Sequence, residues 1–142
     1  MNERLYLLAQ LDGRTVAIDS DQVESVVDLG DITPVPCAPA GVCGLAALRS
    51  RVVTVIDSRV ALGLAGVTES RRAIIIRYDN HHYAMLVDAL DDIVPLAMTA
   101  LNAALPIAGE WSRAATGVID HSGEPVLVIN LAALVPSHAL AA

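Results

Sequence analysis

No phenylalanine occurs in the 142 residues, and the other aromatic side chains are three tyrosines and one tryptophan. A packed interior must therefore be built from Val, Ile, Leu and Ala. The hydrophobic fraction of 54%, above the usual ~45–50%, supplies them. Basic charge is scarce too: 9 Lys and Arg against 16 Asp and Glu leave a formal charge of −7. An acidic chain with few aromatics lacks both the positive footprint and the stacking platforms that nucleic acid requires. Anionic membrane surfaces are disfavoured on the same ground. No apolar run approaches the ~20 residues needed to cross a bilayer. The opening Met1-Asn2-Glu3-Arg4 has neither the basic start nor the apolar stretch of a signal peptide, so the expected compartment is the cytoplasm. The only cysteines are Cys37 and Cys43. Their spacing fits no standard zinc motif and no histidine lies close in sequence, so free thiols buried as small apolar groups are expected, with no metal and no cofactor.

What is present is a series of short aliphatic runs separated by turn residues. Leu5 to Leu11 and Thr15 to Ile18 flank Asp12-Gly13, a strong hairpin signal because tight turns need positive φ. A third strand is predicted from Val23 to about Leu29. Pro34, Pro36 and Pro39 then impose an extended loop. Gly44 to Leu48 and Val52 to Ile56 read as strands, and Ser58 to Leu62 as a short helical turn closed by Gly63 and Gly66. The same order returns: strands at Ala73 to Tyr78, Tyr83 to Val87 and Asp92 to Leu96, then Met98 to Trp111, broken by Pro106 and Gly109. A last hairpin runs through Gly117 to Asp120, Ser122-Gly123 and Val126 to Ile129. Leu131 to Val135 is a second helical turn.

The repeat can be checked by position. A shift of 67 lays residues 7–27 on 74–94, matching Asp12 with Asp79, Ala17 with Ala84, and Val26 and Val27 with Ile93 and Val94. A shift of 73 lays 44–62 on 117–135, matching Gly44 with Gly117, Val53 with Val126, Ile56 with Ile129 and Asp57 with Asn130. The larger second shift gives the second copy a longer central loop. Two copies of this pattern argue for two small five-stranded barrels, since closure removes exposed sheet edges. The whole chain, 1–142, reads as one domain. Its halves are roughly 5–65 and 72–136, with room for strands to exchange between them.

The ordered motifs resemble the CheW family of chemotaxis adaptors. The strongest stretch is Val35-Pro36-Cys37-Ala38-Pro39 followed by Gly44 through Arg59, similar to a proline-flanked loop and then "G-V-I-N-L-R-G-x-I-V-P-V-I-D-L-R". Gly117-Val118-Ile119 with Val126 to Val135 resembles the family's closing segment. The likeness spans roughly residues 4–136. It implies an all-β fold with a few short helices, built as two intertwined five-stranded SH3-like β-barrels. It also implies a non-catalytic adaptor that couples chemoreceptors to a CheA-type histidine kinase. The partners implied are the kinase's regulatory domain, reached through the barrel ends, and the cytoplasmic tip of a receptor, reached in the groove between barrels. Recruitment to receptor arrays at the inner membrane follows. Arg49 corresponds to the arginine at the receptor contact; Val23 and Ser25 fall on a strand where the family often has "V-Q-E-I"; Gly44 and Leu48 complete the implied partner-binding set. Departures are Ala47 for Asn, Ser50 for Gly, Thr54 for Pro, Ser58 for Leu and Ser25 for a common Glu. Ser50 would be strained at the positive φ a glycine adopts freely, so a different turn is expected there.

No signature of catalysis competes with this reading. H-E-x-x-H, G-x-S-x-G and the glycine-rich phosphate loops are absent. His81 and His82 are adjacent on a predicted strand and so point to opposite faces. Asp19-Asp21 and Asp88-Asp92 could steer a basic partner, though a solvated acidic face explains them more simply. Trp111 is expected to pack rather than to bind. The alternatives are a CheW-like adaptor for surface motility or development, and a small-ligand-binding barrel or hydrolase using Asp79, His81 and His82.

Overall fold

The computed structural model describes residues 3–64, 67–100, 111 and 114–136. The described strands are β1 (Glu3–Leu11), β2 (Arg14–Asp19), β3 (Ser25–Asp28), β4 (Ile32–Thr33), β5 (Val42–Leu48), β6 (Arg51–Asp57), β7 (Arg72–Tyr78), β8 (His81–Leu86), β9 (Ala89–Ala97), β10 (Thr99–Ala100), β11 (Ala115–His121) and β12 (Glu124–Ile129). A four-residue α-helical turn, α1 (Ser58–Ala61), follows β6, and 3-10 turns occupy Ser20–Gln22 and Leu131–Leu134. The third strand starts two residues later than its sequence suggests, because Asp19 caps a 3-10 turn whose end falls on Val23. The Ser58 and Leu131 turns lie where the sequence puts them.

Two sheets form, ordered β10-β11-β12-β2-β1-β9 and β3-β7-β8-β6-β5-β4. Each has five longer strands plus one of two residues, β10 or β4, too short to show as a pattern. In the first sheet β9 returns against β11, curling the sheet into a barrel. Neither sheet is made from one half of the chain. The β1–β2 hairpin sits among β9 to β12, and the β7–β8 hairpin among β3 to β6.

The aliphatic runs are long because their strands are buried on both faces, where continuous apolar sequence replaces alternation. In β1, Tyr6 and Leu8 point into the first barrel while Leu7, Ala9 and Leu11 enter a core shared by both. In β7 and β8, Ala73, Ile75, Ala84 and Leu86 fill the second barrel, and Ile74, Ile76, Tyr83, Met85 and Val87 face the shared core. Three thin aliphatic cores leave little need for phenylalanine.

The internal repeat is a pseudo-twofold in the pairing itself. Parallel β6–β8 sets Val55 opposite Ala84, and parallel β12–β2 sets Val128 opposite Ala17. Val26 to Asp28 pair with β7 as Ile93 to Pro95 do with β1 (Val26 opposite Ile74, Ile93 opposite Leu7). The bulge between Val42 and Gly44 recurs between Ala115 and Gly117. Asp57 caps α1 and Asn130 caps the 3-10 turn Leu131–Leu134.

Candidate functional site

At the open end of the second barrel, residues of β3, the β5–β6 hairpin, β7 and β8 surround a recess of ≈ 280 Å³. Its floor is Val27, Leu48 and Ile75, continuous with the barrel core, and its rim is Glu24, Ser25, Arg49, Ser50, Arg51 and His82. The β5–β6 turn positions the rim. Leu48 pairs with Arg51 across a two-residue turn, and Arg49 holds a left-handed φ of 58°. Ser50 stays out of that region, so the strain of a missing glycine is taken by Arg49 instead. That conformation carries the Arg49 side chain, which is exposed, outward from the tip.

Arg51 and His82 close one side. The Arg51 Nη1 lies 2.9 Å from His82 Nδ1, and His82 Nε2 lies 2.9 Å from a Glu24 carboxylate oxygen. The same Arg51 nitrogen also lies 2.5 Å from His82 Nε2, so the imidazole sits between a guanidinium and a carboxylate. His81 faces the opposite way, as adjacent strand residues must, so the two histidines do not converge. No group of three His, Cys, Asp or Glu side chains among the described residues could hold a metal ion.

The chain has no lysine, so its permanently charged basic side chains are all arginines. Arg4 pairs with Asp19 and Asp21, and Arg59 with Asp12 and Asp88. Arg72 pairs with Asp28, Arg71 donates to the Gly30 carbonyl and Arg77 to Asn80, while Arg14 lies 5.9 Å from the Trp111 ring centroid. Arg49 is different. Among the described residues it has no hydrogen bond, ion pair or ring contact. The acidic residues near Asp19 and Asp88 are thus engaged locally; Asp88 also accepts from the Asp12 backbone N–H, and Asp91 from Gln10.

Of the residues singled out in the sequence, Ser25, Leu48 and Arg49 come together at this recess. Val23 does not; it ends the 3-10 turn and packs, half-buried, against the shared core. Gly44 is buried at the bulge with φ 148°, where a Cβ would stand 2.1 Å from the Thr33 carbonyl oxygen, so it spaces two backbones. His82, named in the sequence only for a ligand-binding or hydrolase alternative, instead joins Arg51 and Glu24, a grouping the sequence does not show because it forms only after β8 inserts beside β6. Trp111 is half-buried against the shared core. The cysteines divide: Cys43 is half-buried, and burial, then the Asp57 charge, pushes its thiol up. Cys37 is exposed, contrary to expectation, because it takes a left-handed φ of 60° in the proline-rich loop away from the core.

The CheW-like domain family model matches residues 5–139. The chemotaxis protein CheW of Thermotoga maritima is 24% identical over 132 residues, covering 92% of this chain and 87% of that protein. The protein of the same name from Rhizobium meliloti is 31% identical over 108 residues, covering 74% and 70%. Among solved structures, the scaffolding protein TtCheW from Thermoanaerobacter tengcongensis superposes with a TM-score of 0.83 at 21% identity, over 96% of this chain and 95% of that one. The last likeness is one of fold.

Proposed function

The chain belongs to the CheW-like domain family, and on that premise we infer that it is a non-catalytic adaptor of chemotaxis signalling, coupling chemoreceptors to a CheA-type histidine kinase. The observation that carries the reading is Arg49. A guanidinium raised on a strained hairpin tip, with no partner among the described residues of a chain of charge −7, is arranged to meet a carboxylate on another molecule. The recess beneath it offers Leu48 and Val27 for apolar contact and Ser25 for a hydrogen bond. In this reading Arg49, Ser25 and Leu48 contact the receptor tip, and the kinase's regulatory domain docks through a barrel end. No helix of the described residues is long and apolar enough to cross a membrane, so placement at receptor arrays comes from these partners.

Calorimetric titration of the full chain with the cognate kinase regulatory domain and with a receptor tip fragment tests the proposal. Both bind, and Arg49→Asp weakens the receptor at least about tenfold, the scale of one lost charge-assisted contact. Stability changes by no more than about 0.5 kcal/mol, since the site is exposed and Asp tolerates the left-handed region. Failure of the wild-type chain to bind the kinase domain at tens of micromolar would overturn the adaptor reading.

A further inference from the structure

The recess beside Arg49 carries a second arginine on its rim, and that one is held. Arg51 Nη1 lies against the His82 imidazole, 2.9 Å from Nδ1 and 2.5 Å from Nε2, while Nε2 lies 2.9 Å from a Glu24 carboxylate oxygen. Among the described residues Arg51 and Glu24 form no ion pair with each other, so the ring is what joins them. The strand register brings this about. Arg51 shares the barrel-interior side of β6 with Val53 and Val55, and His82 shares that of β8 with Ala84 and Leu86. The two strands run parallel, side by side. Directly opposite His82 on β7 is Arg77, whose guanidinium donates to Asn80, and Arg49 stands at the recess mouth. The imidazole is only 18% exposed, held between its neighbours, whereas Arg51 is exposed. The guanidinium is free to move outward; the ring is not.

We propose that His82 is a proton-operated latch on Arg51, which serves as a second cation for a partner carboxylate at this recess. The inference rests on the reading of the chain as an adaptor, and it adds a further contact residue and the control over it. A neutral imidazole offers one lone pair and one N–H. Arg51 can only donate and the Glu24 carboxylate can only accept, so the neutral ring serves both. Protonation turns both ring nitrogens into donors. The lone pair that held Arg51 is then gone and two cations are in contact, while the Glu24 contact becomes an ion pair. Arg77 is charged in both states and leaves the direction of the change unaltered. The ring stays with Glu24, and Arg51 swings out to the mouth beside Arg49. Histidine is the side chain that makes such a change between about pH 5 and 8. As pH falls the rim gains one positive charge and a second free guanidinium, so an acidic partner surface binds more tightly.

Two measurements test the latch. In the isotope-labelled full chain without any partner, the Arg51 Nε–Hε signal is expected to move with the same midpoint as the His82 imidazole, and to stay still in His82→Asn. An Arg51 signal that ignores the His82 titration overturns the inference. Binding of a receptor tip fragment is then followed by calorimetry from about pH 8 to about pH 5.5. Kd is expected to fall at least about fivefold, the lower end of ordinary coupling between linked sites. That gain is lost in His82→Asn and in Arg51→Gln. Titrating groups on the fragment act alike on all three chains, so a gain that survives in either variant also overturns the inference. Amide spectra report whether each variant keeps its fold; should His82→Asn lose it, Arg51→Gln, at an exposed position, still decides. The failures separate cleanly: a fragment that binds with no gain at low pH sinks only this inference, and one that binds at no pH sinks the adaptor reading whatever Arg51 does.

Discussion

Single residues here carry two kinds of constraint, and only one is written plainly in sequence. Gly44 is legible as a motif position, but its role is steric: the chain needs φ 148° and bare backbone against Thr33 and Pro34. Gly44→Ala therefore costs roughly 3 kcal/mol or more, from a clash with a carbonyl that cannot step aside and a disfavoured φ. Gly13→Ala, with φ +74° but nothing near its Cβ, costs about 1–2 kcal/mol. Urea denaturation of both variants checks the difference, and equal losses would show that φ alone decides. Arg49 is the converse. Its place in a family motif is readable, whereas its lack of a partner among the described residues depends on where the other described arginines find theirs.

Elements were legible wherever an aliphatic run was bounded by a turn pair. Asp12-Gly13, Asp79-Asn80 and Ser122-Gly123 all adopt the positive φ that such hairpins demand. The two-residue strands β4 and β10 were not legible, because pairing of that length leaves no periodicity to read. The matched caps show what local sequence does reveal. Asp57 accepts from the backbone N–H groups of Arg59, Val60 and Thr68 and from the Thr68 hydroxyl, and is almost fully buried. Asn130, its counterpart, accepts from Ala132 N–H and from Gln22. Asp57→Ala is accordingly expected to lower stability by about 2–3 kcal/mol, a lost cap plus donors left unsatisfied, and Asn130→Ala by about 1 kcal/mol. Thermal or urea unfolding decides, and a cost for Asp57→Ala no greater than for Asn130→Ala would contradict the account of a shared buried carboxylate.

For the molecule as a whole, the repeat and the room for strands to exchange between its copies were legible, but which hairpins cross was not, since the shifts of 67 and 73 say which segments are alike and nothing about which pair. Because each sheet draws strands from both halves, neither fragment 1–66 nor 67–142 can complete a barrel by itself. Separately expressed, each is expected to lack the far-ultraviolet signature of ordered sheet; mixed or co-expressed, they recover it as a one-to-one complex. A lone fragment that unfolds cooperatively with native-like sheet content would refute the exchanged topology. Synthesis on the ribosome meets the same geometry as a matter of timing. Val16 of β2 takes its parallel neighbour from Leu127, more than a hundred residues downstream. At translation rates of about 5–20 residues per second, the first hairpin waits on the order of ten seconds for that neighbour to be made. Throughout that interval a ribbon greasy on both sides has no home, and whatever shelters it in the cell governs how much adaptor is ever produced.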